Sequence, residues 1–226
     1  MTQRQAIEQH LERQQAQRLA AGISTLGLAI SEAQQQQLLQ YVALLHKWNR
    51  AYNLTAIRDP LEMVTRHLLD ALTVVPHVAP TQLIDVGTGG GIPGIVLAIV
   101  YPELEAVLLD SNGKKTRFVK QVALELKLAN VEVVHGRVEQ YRRLSPQIIS
   151  RAFASLATMV EAVSASLAPS GRLLAMKAAT AQTDQELQLL APDWRINRIP
   201  LAVPGLNEQR ELVVLQRSGS DAGEKA

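Results

Sequence analysis

Apolar and polar residues change their period near residue 80. Before that point the spacing is helical: Leu38, Tyr41, Leu45 and Trp48 recur three and four residues apart, which lines one face of an α-helix. Ser31 followed by Gln34 is a capping-box start for it, each side chain answering the other's backbone N–H. Asp59-Pro60 marks a second start, with the carboxylate as cap and proline where its missing N–H leaves no bond unmade. Leu61, Val64, Leu68, Ala71 and Val75 stripe that helix, and Pro76 to Pro80 closes it. Residues 31–80 are expected to be a helical N-terminal unit. Residues 1–30 are Gln-, Arg- and Glu-rich with an AAGISTLGL interruption, and a partly disordered segment is expected there.

From residue 82 the apolar runs shorten to QLIDV, EAVLLD, VEVVH, QIIS, GRLLAMK, RINRIPLAV and RELVVLQR. Amphipathic stretches over 92–100, 113–128, 155–167 and 181–190 separate the earlier ones. Strands alternating with helices give an α/β fold with a mostly parallel sheet and helices on both faces. Only PGLNEQ divides the last two runs, too little for a crossover helix, so they are expected as an antiparallel edge. The tail 218–226 is expected to be disordered.

LIDVGTGGGIPG, residues 83–94, closes the first strand with a glycine loop. Two frames compete. Gly89, Gly91 and Gly94 spell the dinucleotide fingerprint; Gly87, Gly89 and Gly91, preceded by Asp85, spell the loop of S-adenosylmethionine-dependent methyltransferases. A dinucleotide loop places its first glycine at the end of the strand. That glycine here is Gly87, and the sixth position of its frame is Ile92. On this reading Gly94 belongs only to a helix start opened by Pro93. Asp85 would repel a pyrophosphate, yet it could hold the ammonium of adenosylmethionine. Asp110, with Ser111 beside it, ends the second strand, where a carboxylate can accept from both ribose hydroxyls. Val138 and Glu139 follow the third strand, where an apolar side chain and a polar one can meet an adenine ring. These residues favour S-adenosyl-L-methionine. NAD stays open as the alternative, because its enzymes use the ribose acid too.

Composition narrows the chemistry. The chain of 226 residues has no cysteine, which excludes disulfides, thiolate zinc sites and a thiol nucleophile. Its five histidines lack metal-ligand spacing, so no metal is expected and helix-packing or surface roles are. No run approaches about 18 apolar residues, and the polar N-terminus is no secretory signal; a cytoplasmic protein without membrane attachment is expected. The net charge is only +2, so any polyanion must meet local basic clusters such as GKKTRFVK, residues 113–120.

With KWNRAYNLTAI, RHLLDAL, LIDVGTGGGIPG, LLDSNGKKTRFVKQVALELKL, the RVEQ step, ISRAFASL and RELVVL on the page, the chain resembles the bacterial 16S rRNA guanine-N7 methyltransferases (glucose-inhibited division protein B). The resemblance runs over about residues 40–217. It implies a class I, Rossmann-like methyltransferase fold with a seven-stranded sheet. It also implies S-adenosyl-L-methionine as cofactor and methylation of N7 on one guanine in the 530 loop of 16S rRNA. The partner would be 16S rRNA, the small ribosomal subunit or an assembly intermediate, and a monomer is expected. Family cofactor positions carry over onto Gly87, Ile92, Val138, Glu139 and Arg151. Basic residues of the active face carry over onto Arg137, Arg151, Lys177 and Arg210.

Guanine N7 has a free lone pair, so in-line methyl transfer needs no general base and no covalent intermediate, in keeping with the missing cysteine. Arg151 is then expected to orient the guanine, its bland alternative being a strand-end partner of Glu139 or Asp110. Phosphate contact is the expected role of Arg137, Lys177 and Arg210. Tyr41 and Trp48 are expected in the core, and Phe153 stands either in the core or near the guanine. An RNA-binding assembly factor without turnover is the non-enzymatic alternative; eroded glycines or a lost Asp110 would mark it, and neither is seen.

Overall fold

A computed structural model describes residues 3–151, 155–190 and 193–218. Phe153 and nearly all of the C-terminal tail lie outside them. The helices are α1 (Gln3–Leu26), α2 (Glu32–Tyr52), α3 (Pro60–Met63), α4 (Asp70–Leu72), α5 (Gly94–Val100), α6 (Gly113–Glu125), α7 (Leu156–Val163) and α8 (Ala181–Leu190). The strands are β1 (Gln82–Val86), β2 (Glu105–Asp110), β3 (Val131–His135), β4 (Ser145–Arg151), β5 (Leu167–Ala178), β6 (Trp194–Leu201) and β7 (Arg210–Arg217).

The seven strands form one sheet in the order β3-β2-β1-β4-β5-β7-β6. Strands β1 to β5 pair in parallel, and β7 runs antiparallel to both β5 and β6. Alternation along each strand feeds two cores. Leu108, Ile149, Leu174 and Leu212 face α2, α5 and α6; Ile84, Ile148, Leu173 and Val213 face α7 and α8. The seven-stranded, mostly parallel sheet with an antiparallel edge is as expected.

The N-terminal helices are part of the first core. Ser31 and Gln34 make the reciprocal capping box on α2, and Leu38, Tyr41, Val42 and Leu45 are fully buried, the three aliphatic ones each contributing roughly 1.5–3 kcal/mol on the usual scale for large apolar side chains. Gln34 also donates to the Ile99 and Val100 carbonyls at the end of α5, satisfying acceptors that a helix terminus leaves open. Asp59 caps α3 by accepting from the Leu61 N–H at 2.8 Å.

Two differences from expectation have physical causes. Residues 1–30 were expected to be partly disordered, yet Gln3–Leu26 is a helix. Most of it faces water, and Leu19 and Ile23 are the large apolar side chains it buries. Gly22 lets the helix approach Leu69 so closely that a Cβ would stand 2.4 Å from Leu69 Cδ2. Arg18 adds bonds to the Leu61 carbonyl and the Thr65 hydroxyl. So few buried positions leave no stripe in the sequence. The second difference is that the helix begun at Pro60 is π-helical over Val64–Leu69; its stripe continues, but the wider turn reaims the residues between.

Candidate active site

The glycine loop has the backbone its sequence frame requires. Gly87, Gly89 and Gly91 have φ of 68°, 59° and 92°, conformations that residues with a Cβ rarely hold. A Cβ placed on Gly89 would make only ordinary contacts, 3.8 Å from the Gly87 carbonyl oxygen and 4.0 Å from Lys115 Nζ, so its backbone conformation and not crowding calls for glycine. Gly94 is different. Its φ is ordinary, but a Cβ there would stand 2.7 Å from Leu108 Cγ and 2.8 Å from Asp85 Oδ2. The helix start is therefore pressed against two strands, and the reading of Gly94 as incidental is corrected: close helix–strand packing demands it.

Asp85 is almost fully buried. Its Oδ2 accepts from the Thr88 hydroxyl at 2.6 Å and the Gly94 N–H at 2.9 Å, bracing the loop. Oδ1 is buried without a partner. Burial pushes this carboxyl up to about 6, against the lowering effect of those two bonds. An unpaired buried acceptor is costly unless something donates to it. Asp110 ends β2 with one oxygen on the Gly89 N–H at 2.9 Å and the other on the Asn112 N–H at 2.8 Å. Each carboxylate oxygen keeps a further lone pair.

Along the carboxyl edge of the sheet the predicted residues separate into two groups. Val138 is buried and Glu139 exposed after β3, beside Asp110 of β2 and the loop after β1. The Ile92 side chain is buried in the first core, and its N–H bonds to the Thr88 carbonyl. Ser111 is exposed, its carbonyl 3.1 Å from His135 Nε2. Arg151, Lys177 and Arg210 gather on the other side, ending β4 and β5 and opening β7. Because β7 is antiparallel, its first residue lies at this edge, paired with Ala178. They line a cavity of about 320 Å³ with Asp70, Leu201 and Glu211. Arg137 does not join them. It is exposed after β3, three strand spacings from β4, roughly 14 Å.

The partners of these basic groups were not foreseen. Arg151 pairs neither with Glu139 nor with Asp110. Its NH1 donates to Asp70 Oδ2 at 3.1 Å and to the Arg66 carbonyl at 2.9 Å. Asp70 is buried, with its other oxygen 3.9 Å from Arg210 Nε. Arg210 Nε itself makes no hydrogen bond. The π-helical turn supplies this geometry, bringing the Arg66 carbonyl and, just after it, Asp70 to the end of β4. His67 is held there too. Thr55 Oγ1 accepts from the Ile57 N–H and lies 3.0 Å from His67 Nε2, while Nδ1 lies 3.0 Å from the Arg66 carbonyl and 3.3 Å from Arg151 NH2. Burial, reinforced by the Arg151 charge, pushes His67 down to about 4 and keeps it neutral.

Lys177 is paired at 3.0 Å with Glu186 of α8, both largely buried. Burial alone would raise the Glu186 carboxyl, but Lys177 and the Leu156 N–H together hold it below its usual range. Glu211 is taken by Arg198 through two bonds of 2.6 and 2.9 Å. The sequence did carry one signal for Asp70, an acid flanking Ala71 on a buried helix stripe. Tyr41 is fully buried as expected, and its hydroxyl donates to the Gly90 carbonyl at 2.7 Å. Among the described residues no group of His, Asp and Glu is placed to hold a metal, and no helix is long and apolar enough to cross a membrane.

The GidB family model, described as rRNA small subunit methyltransferase G, matches residues 34–213. A curated relative, the ribosomal RNA small subunit methyltransferase G of Pseudomonas aeruginosa (strain LESB58), is 52% identical over 217 residues, covering 94% of this chain and 99% of its own. Among solved structures, a methyltransferase from Geobacter sulfurreducens aligns with a TM-score of 0.56 at 18% identity, covering 89% of this chain and 96% of the other. The glycopeptide N-methyltransferase MtfA, complexed with S-adenosyl-L-methionine, aligns at 0.57 and 11% identity over 67% and 95%. At such identities the structures speak for the fold, which is that of S-adenosyl-L-methionine-dependent methyltransferases.

Proposed function

The chain belongs to the GidB family of rRNA small subunit methyltransferases G, and on that premise we propose that it transfers a methyl group from S-adenosyl-L-methionine to N7 of one guanine in the 530 loop of 16S rRNA. The observation that carries the reading is the division of the sheet edge. A cradle of glycines and carboxylates lies over β1 to β3, and beside it a charged cavity opens over β4 to β7.

The cradle fits the cofactor. Gly87, Gly89 and Gly91 present backbone without side chains, Asp85 Oδ1 is an acceptor in want of a donor, and Asp110 keeps lone pairs at the end of β2. In the proposed arrangement Asp85 accepts from the ammonium, Asp110 from the ribose hydroxyls, and Val138 with Glu139 meets the adenine. Once bound, the cofactor supplies an electrophilic methyl on a cationic sulfur.

The cavity residues orient the acceptor. Arg151 donates to guanine O6, leaving N7 open for in-line attack, so alignment rather than proton removal lowers the barrier. Alkylation at N7 leaves the ring positively charged. Asp70, buried in the cavity wall, places negative charge beside it and offsets the surrounding arginines. Asp70 also fixes the Arg151 guanidinium, which makes it a positioning residue.

Borohydride–aniline cleavage and primer extension of small-subunit rRNA will test the assignment. A stop in the 530 loop is expected with wild-type cells and none with a deletion strain. Persistence of the stop in the deletion strain would refute it.

A further inference from the structure

Helix α2 runs along the first core toward the glycine loop and then beyond it. Gln34, near its start, touches the far end of α5, while Tyr41 and Leu45 reach Gly90. At about 1.5 Å per residue, the terminal Tyr52 lies roughly 10 Å past Leu45 along the axis. It stands outside the carboxyl edge of the sheet, where the proposed substrate approaches.

Three aromatic rings climb to that point. Phe118 of α6 is fully buried. Trp48 leans on it with centroids 5.6 Å apart at 55°, and Tyr52 stacks on Trp48 at 5.2 Å and 30°. Tyr52 is 45% exposed, and among the described residues no further ring stacks on it. The stretches of chain that carry these rings are basic. Residues 33–58 and 111–124 contain no acid, Lys114 is exposed one turn from Phe118 on α6, and Lys115 Nζ lies 4.0 Å from a Cβ placed on Gly89.

We propose that the outer face of Tyr52 is a stacking platform for an unpaired base of the substrate rRNA, with Lys114 meeting an adjoining phosphate. The proposal rests on the rRNA reading above and extends its footprint to a second contact beside the methyl-transfer site. Single-stranded RNA is recognised by this combination, because every base offers a π-face and its backbone offers phosphates to the cationic rim. A ring held from beneath by Trp48 and Phe118 loses little conformational freedom when a base settles on it. A role confined to covering Trp48 would need an apolar side chain but not a flat one, and that contrast decides the test.

Methylation of small-subunit rRNA from a strain lacking the protein is measured for wild type, Tyr52→Phe, Tyr52→Leu and Tyr52→Ala, alongside thermal unfolding and S-adenosyl-L-methionine affinity. Phe is expected to stay within about twofold of wild type. Leu and Ala should lose about tenfold in kcat/KM for RNA, mostly through KM, with cofactor affinity unchanged. Leu performing as well as Phe, or Ala as well as wild type, would overturn the platform. So would a loss that tracks melting temperature or cofactor affinity in the Leu variant. The two ideas fail separately: a wild-type enzyme inactive on this RNA fails the rRNA reading. In that event Tyr52 is judged by wild-type against Ala affinity for a single-stranded RNA oligonucleotide, where equal binding removes the platform.

Discussion

At the scale of single residues, Asp85 has the sharpest consequence. Burial raises its carboxyl from 3.8 to about 6, so the native state holds its proton more tightly than the unfolded chain does. Its stabilising contribution is complete below pH 4 and is lost as pH rises to about 6. His67 acts in the opposite sense. Its depressed value of about 4 gives stability that is present above about pH 6.5 and is lost as pH falls toward 4. The two slopes oppose each other across the same window. Asp85→Asn removes one of them, and its unfolding free energy should rise more steeply between pH 4 and 6 than that of wild type, as followed by denaturant titration. The proposed ammonium contact adds a second readout. Wild-type affinity for S-adenosyl-L-methionine should increase as pH passes through about 6, because only the carboxylate pairs with a cation. Calorimetry showing no such rise would remove Asp85 from the cofactor site.

At the scale of elements, the π-helical turn Val64–Leu69 and the end of β4 form one unit. The turn turns the Arg66 carbonyl toward Arg151 and is followed directly by Asp70. Asp70→Asn keeps the shape but removes the charge shared by Arg151 and Arg210, leaving a partly buried guanidinium without its counterion. Methyl transfer should fall about tenfold or more in kcat while cofactor affinity holds, since Asp70 lies in the cavity and not in the cradle. Single-turnover rates with saturating cofactor will show it. Asp70→Glu should restore less than half of the rate, because the longer side chain shifts the bond that fixes Arg151. The sequence marked the helix here through its apolar stripe. It could not mark the π distortion, because widening one turn changes where side chains point without changing which residues are apolar.

At the scale of the whole molecule, the basic residues differ in what they have left to give an RNA. Lys177 is neutralised by Glu186 inside the protein, whereas Arg137 stands exposed beyond β3. Replacing Arg137 with Gln should lower the slope of log affinity against log salt by about one phosphate, and replacing Lys177 should hardly change it. Filter binding over a salt series separates them, and equal slope changes would contradict the pairing seen here. Sequence alone placed both residues near a sheet edge. It could not tell a solvated charge from one already matched by a helix that joins the fold later in the chain.

The sequence by itself determined the fold class, most strand and helix positions, and the frame of the glycine loop. These rest on periodicity, capping and positive-φ demands, which act between near neighbours in the chain. The N-terminal helix α1, the close packing at Gly94, the pairing of Arg151 with Asp70 and of Lys177 with Glu186, and the separation of Arg137 from the cavity were decided by tertiary structure. Each depends on which distant surfaces meet. A carboxylate 81 residues away from its arginine leaves no local pattern, and only the sheet order and the packed N-terminal helices bring the two together.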